Sequence, residues 1–181
     1  IAMILSVARK IPDANNSTQA GNWSKTQYLG TEVTGKTLGL IGAGNIGSIV
    51  ASRAIGLKMR VIAYDPFLSS ERAKILGITK VETLPEALGS SDFVSLHLPK
   101  TEKTKNIISK LEISSMKPGA KLINCARGGL IVEPDLKDAL ESGHVSGAAL
   151  DVFSSEPARE NILFGVPGLI ATPHLGAATM E

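Results

Sequence analysis

Thr37-Leu38-Gly39-Leu40-Ile41-Gly42-Ala43-Gly44-Asn45-Ile46-Gly47 passes from a short, mostly apolar run straight into a G-x-G-x-x-G turn. The run has the length and two-faced apolar character of a strand buried on both sides. Beyond the turn, Ile46, Ile49, Val50, Ala54 and Leu57 recur at helical spacing and predict a helix over 46–57, with those residues as its inner face. Glycines also punctuate ordinary turns. A strand before them and a helix after them give this set its meaning.

Working outward, the alternation continues. Strands are predicted over 60–64, 93–98, 121–125, 147–152 and 169–172, and helices over 69–76, 84–88 and 133–142. Ser69 or Ser70 is placed to cap the first of these helices, and Pro134 sits in the first turn of the last. Upstream, Ile1, Ile4, Leu5, Ala8 and Ile11 follow helical spacing until Pro12 stops it, so the chain is expected to begin inside its first helix. The polar stretch 13–25, which holds the only tryptophan, Trp23, is read as a helical turn and a loop over a sheet edge or against a partner. Apolar strands alternating with helices mean a mostly parallel sheet covered on both faces. One doubly wound α/β domain of the Rossmann type over 1–181 is the expected fold.

Bulk composition narrows the classes further. Length allows one substantial core, and 43% hydrophobic with 20% charged residues is ordinary for a globular chain. Nineteen Lys and Arg against 17 Asp and Glu leave +2, too small an excess to argue for nucleic acid or a membrane surface. No apolar run approaches a membrane span. The single cysteine, Cys125, rules out an internal disulfide and fits a reducing, cytoplasmic setting. No His, Cys and carboxylate cluster has metal-ligand spacing, so no metal is expected.

The glycine turn points to a dinucleotide. Gly42 permits the tight turn, Gly44 lets backbone approach a pyrophosphate, and Gly47 lets helix and strand pack closely. Amide donors at the helix start, at Asn45 and Ile46, and the positive end of the helix dipole then favour phosphate. Asp65 ends the second strand about 20 residues on, where a carboxylate can accept from ribose hydroxyls. It would repel a 2′-phosphate, and Pro66 and Phe67 supply no arginine to receive one, so NAD is favoured over NADP.

Ligands of open α/β sheets lie beyond the carboxyl ends of the strands, and three late segments bring charge there. These are Asn124-Cys125-Ala126-Arg127-Gly128-Gly129, Asp151 through Glu156-Pro157, and Pro173-His174-Leu175-Gly176. Arg127 can grip a carboxylate with its planar fork. An imidazole can give or take a proton near neutral pH, which suits His174 to proton exchange, while Glu156 could hold its far nitrogen and favour the charged form. Spacing alone leaves open whether the three meet.

Taken together, Gly35 to Gly42, Tyr64-Asp65-Pro66-Phe67, the Asn124 to Gly129 run, Ala149-Leu150-Asp151-Val152-Phe153 and Thr172 to Ala177 resemble the D-isomer-specific 2-hydroxyacid dehydrogenases over nearly the whole chain. Within that family the 3-phosphoglycerate dehydrogenases of serine biosynthesis are the most similar group. The resemblance implies a catalytic trio at Arg127, Glu156 and His174, with Asp151 facing the nicotinamide carboxamide. It implies further that Cys125 and Gly176 line the nicotinamide pocket, and that Pro99 and Thr104 lie beside the adenosine half and the pyrophosphate. It implies a small 2-hydroxy or 2-keto acid substrate, a homodimer formed through this domain with Trp23 and Tyr28 as candidate contacts, and a separate substrate domain not in this chain. Without that domain, the chain is expected to bind NAD but to turn over poorly.

Val132-Glu133-Pro134 stands where the family usually has Val-Asp-Glu, a departure expected to have little functional effect. The remaining chemistry-bearing residues are read plainly: Cys125 as structural, His97 as packed, His144 as solvated, and Lys100, Lys103 and Lys105 as wet surface. Rival activities are glyoxylate/hydroxypyruvate or D-lactate dehydrogenation, and, from another class, an NAD-sensing corepressor-like binding protein. Formate dehydrogenation fits less well, because there the histidine's partner is a glutamine.

Overall fold

The computed structural model describes residues 1–180. Seven parallel strands form one sheet: β1 (Thr37–Ile41), β2 (Arg60–Tyr64), β3 (Thr79–Lys80), β4 (Phe93–Leu96), β5 (Ala120–Asn124), β6 (Val145–Leu150) and β7 (Leu169–Ala171). Their order is β3-β2-β1-β4-β5-β6-β7. The chain therefore grows outward in one direction from β1 to β3, then returns to β1's other side and grows the other way. The reversal lies between β1 and β4, where crossovers leave on opposite faces and open a crevice at the strands' carboxyl ends.

Period-two alternation sorts the strand side chains onto two cores. Leu38, Leu40, Phe93, Ile123 and Ala149 face one layer with α1 (Ala2–Arg9), α3 (Asn45–Gly56) and α4 (Ser70–Leu76). Val94, Leu96, Leu122, Ala148 and Leu150 face the other with α5 (Leu84–Ser90), α6 (Lys110–Ser115) and α7 (Glu133–Glu141). Every residue of β1 is buried, as its two-faced apolar run requires.

Four details depart from the sequence reading. Lys10 breaks the first helix by adopting the left-handed region, with φ 52°, and Pro12 opens the next helix instead of ending the first. That next helix, α2 (Ile11–Gln19), has no buried residue, so no apolar period marked it. Helix α6 was also missed, although Ser109 and Glu112 form its capping box. In α3 the inner face is Gly47, Ala51 and Ala54, while Ile46 and Ile49 are 64% and 46% exposed. Small residues let that helix lie close to the sheet, so its bulkiest side chains point away from the contact.

Candidate active site

The glycine turn sits at the crevice. Gly42 takes φ 98°, and a Cβ there would lie 2.5 Å from the carbonyl oxygen of His97 at the end of β4. At Gly47 a Cβ would lie 2.3 Å from the carbonyl oxygen of Gly42, so helix and turn touch through backbone. Gly44 differs, since a Cβ on it would meet nothing within 4 Å. The fold itself does not need that glycine; the open space beside it is what a phosphate group resting on backbone would fill. Gly44 caps α3 without a side-chain acceptor, which leaves the first-turn amides of Asn45, Ile46 and Gly47 without i−4 partners. Asp65 is at this turn: its Oδ2 accepts from the Ala43 amide at 2.8 Å and its Oδ1 from the Phe67 amide at 2.8 Å. The residues present thus fit a dinucleotide, with amide donors for diphosphate and a carboxylate one strand away.

The loop after β4 lies beside the turn. Thr104 Oγ1 donates to the Pro99 carbonyl at 2.6 Å and accepts from the Thr101 amide at 2.8 Å, so it braces this loop. Beneath the turn, His97 is half-buried with Nε2 3.0 Å from Ser95 Oγ. Burial lowers its pKa to about 4, so it is neutral at pH 7. His144, read as solvated, is instead half-buried, with Nε2 2.9 Å from the Ile113 carbonyl at the end of α6.

At the other end of the crevice His174 and Glu156 meet. His174 Nδ1 and Glu156 Oε2 are 2.7 Å apart, although 18 residues separate them in the chain. Glu156 Oε1 also accepts from the Phe153 amide at 2.9 Å. These donors, Phe153 first and His174 second, hold the Glu156 carboxyl below the usual carboxylate range. An ionised Glu156 is acceptor-only, so Nδ1–H donates and Nε2 remains the exchangeable position. Both side chains line a cavity of about 510 Å³ with Asp151, Phe153, Phe164 and Thr172.

Asp151 holds the histidine loop in place. It is 2% exposed, and its carboxylate accepts from Thr172 Oγ1, from the Leu175 amide at 2.9 Å and from the Gly176 amide at 2.8 Å. His174, between those donors, has φ 55°, a left-handed conformation that a non-glycine residue keeps only when its surroundings fix it. Burial pushes the Asp151 carboxyl up, but the three donors outweigh it and leave it lowered.

Arg127 is presented by a turn that buried Asn124 ties off, with Asn124 Nδ2 donating to the Arg127 carbonyl and Oδ1 accepting from the Ala126 amide. The next residue, Gly128, packs so tightly on Phe153 that a Cβ would lie 1.6 Å from its carbonyl oxygen. The arginine's loop and the glutamate's loop are therefore side by side. The guanidinium itself is exposed and donates to the Ala126 carbonyl at 2.6 Å, with no hydrogen bond or salt bridge to Glu156 or His174 among the described residues. Cys125 is exposed at the same edge, and desolvation by the adjacent loops and then the charge of Asp151 raise its thiol above the ordinary value. A thiol so placed is a poor nucleophile.

Sequence reasoning missed the supports. Thr172, Asn124 and the Phe153 amide carry no pattern of their own. Glu133, set aside as an inconsequential departure, accepts from the Ser154 amide at 2.7 Å and from Asn161 Nδ2 at 2.9 Å.

Residues 1–176 match the model of the D-isomer-specific 2-hydroxyacid dehydrogenase, NAD-binding domain. The chain belongs to this family. A family relative, the D-3-phosphoglycerate dehydrogenase of Bacillus subtilis, is 51% identical over 99% of the chain. The match covers 34% of that relative, so the chain spans about a third of its length. Among solved structures, a glyoxylate reductase from Paecilomyes thermophila superposes with TM-score 0.90 at 36% identity, over 98% of this chain and 54% of that one. The D-lactate dehydrogenase of Escherichia coli gives TM-score 0.90 at 30% identity, over 99% and 56%. No helix among the described residues of this family member is long and apolar enough to cross a membrane.

Proposed function

We propose that the chain is the cofactor-binding domain of a longer enzyme that oxidises a D-2-hydroxy acid with NAD, and that the substrate is D-3-phosphoglycerate. The observation that supports this most is the 2.7 Å pair of His174 and Glu156 beside a cavity, at the same carboxyl-end edge of the parallel sheet as the glycine turn. Asn45, Ile46 and Gly47 offer amides to the diphosphate, Asp65 takes the ribose hydroxyls, and Pro99 and Thr104 lie beside the adenosine half and the pyrophosphate. Cys125, Asp151 and Gly176 border the nicotinamide. When bound, NAD supplies the hydride acceptor.

The chain's own residues supply position and proton transfer. Glu156 holds the proton on Nδ1, which leaves Nε2 of His174 to take the hydroxyl proton as carbon 2 is oxidised. The imidazolium that forms stays beside an ionised carboxylate. Arg127 swings from the Ala126 carbonyl to hold the substrate carboxylate, and a substrate domain in the longer protein closes the site. The phosphoglycerate assignment follows the 51% relative; glyoxylate and D-lactate are the competing substrates, from the 36% and 30% structural neighbours. Trp23, 90% exposed, and half-buried Tyr28, both ahead of β1, are the contacts through which this domain would form a homodimer. A lone thiol fits the cytoplasm.

Calorimetry of the 181-residue chain with NAD, and NADH formation by the intact protein on a panel of D-2-hydroxy acids, test these points. Binding to the chain, phosphoglycerate as the best substrate, and loss of at least about 100-fold in His174→Asn are expected. No binding at millimolar NAD would sink the cofactor assignment, and preference for D-lactate or glycolate would replace the substrate.

A further inference from the structure

We propose that Glu133 is a positioning residue for the Glu156–His174 pair, gripping from the first turn of α7 both ends of the loop that carries Glu156; its catalytic meaning rests on the function proposed above. Glu133 Oε1 accepts from the Ser154 amide at 2.7 Å and Oε2 from Asn161 Nδ2 at 2.9 Å. Ser154 precedes Glu156 by two residues and Asn161 follows it by five. One carboxylate therefore clamps the loop before and after the residue that matters.

The loop has little else to hold it. Among the described residues, no backbone–backbone hydrogen bond involves residues 153–160. The Asn161 end is anchored, because its Oδ1 accepts from the amide of fully buried Leu163 at 2.9 Å. Phe153 adds an edge-on contact with Phe164, ring centroids 5.4 Å apart. Glu156 depends on this arrangement directly, since its Oε1 accepts from the Phe153 amide, the residue next to Ser154. Two carboxylates thus sit on consecutive amides of one short turn. Glu133 fixes the turn, and Glu156 uses the turn to aim its other oxygen at His174.

A plainer role is available, because an acid in the first turn of a helix is favourable there whatever it touches. The two roles separate in an experiment on the 181-residue chain with Glu133→Ala and Glu133→Gln. Carbon-detected titration of the Glu156 carboxyl and hydrogen exchange at the Ser154 amide are read beside the melting temperature. In Glu133→Ala the Glu156 midpoint should rise toward the ordinary range, as the Phe153 donor loosens, and Ser154 should exchange at least about tenfold faster. Glu133→Gln keeps an acceptor oxygen for Ser154 and should fall between. An unchanged Glu156 midpoint and Ser154 exchange rate, even with a lowered melting temperature, would overturn the proposal. If Glu156 responds while the intact protein oxidises no 2-hydroxy acid, the clamp stands and the functional reading is the part that fails.

Discussion

The two ends of the crevice are built by different means. At the glycine turn, backbones meet by close approach, Gly47 on the Gly42 carbonyl and Gly42 on the His97 carbonyl, with one carboxylate, Asp65, accepting from the Ala43 amide. At the histidine loop, residues far apart in the chain are tied by carboxylates: Asp151 to 172–176, Glu133 to 154 and 161, and Glu156 to His174. The first end owes its shape to close approach and the second to charge-assisted hydrogen bonds. Steric change should therefore break one, and removal of an acceptor or of negative charge the other.

The largest effect is expected from Asp151→Ala. It strands two amides and a hydroxyl around a left-handed His174, which should cost about 4 kcal/mol and lower the melting temperature by about 10 °C. Exchange of the Leu175 and Gly176 amides should rise while Ala43 stays protected. A loss under about 1 kcal/mol would mean that something other than the carboxylate holds the loop.

Acid should weaken the two ends in separate windows. His97 has a folded pKa lowered to about 4 from 6.5, so only the unfolded chain takes up its proton between those values. Stability should therefore fall from pH 6.5 to 4, by as much as about 3 kcal/mol, and this slope should vanish in His97→Gln. Asp151 and Glu156 are lowered too, but for a carboxylate a lowered value means that the folded state favours the charged form. Their contribution is complete above the ordinary carboxylate range and is lost only as pH falls through their lowered values. Denaturant titrations across pH, read with exchange at Ala43 and Gly176, separate the windows; equal slopes in wild type and His97→Gln would remove the distinction.

The smallest effect sharpens the glycine end itself. Gly47→Ala should cost about 2 kcal/mol, since its Cβ would be driven into backbone. Gly44→Ala should cost under about 1 kcal/mol, because its Cβ meets nothing and only the cap preference changes. NAD affinity should nevertheless fall about tenfold or more in Gly44→Ala, which calorimetry reads directly. Equal destabilisation by both substitutions would show that Gly44 serves the fold and not the ligand.

Legibility followed the same division. The strand, the glycine turn and Asp65 are readable because their chemistry is local: Gly42 and Gly47 answer a backbone demand, and Gly44 leaves room for a ligand. Arg127, Glu156 and His174 were named from residue type and position beyond late strands, but spacing could not say which of them touch. The structure joins Glu156 to His174 and leaves the Arg127 guanidinium on the Ala126 carbonyl. Glu133 looked inconsequential because its partners, a backbone amide and an asparagine more than twenty residues away, carry no signal in a linear pattern.

The amino-acid sequence by itself determined the parallel layered sheet, the site of the turn and the acid beside it, because hydrophobic period and glycine sterics act over a few residues. Tertiary structure alone decided which face of α3 packs inward and how Glu156 and Asp151 come to hold the His174 loop. Those outcomes depend on how closely backbones approach and on which distant donors each carboxylate can reach, and both are fixed only once the sheet has closed.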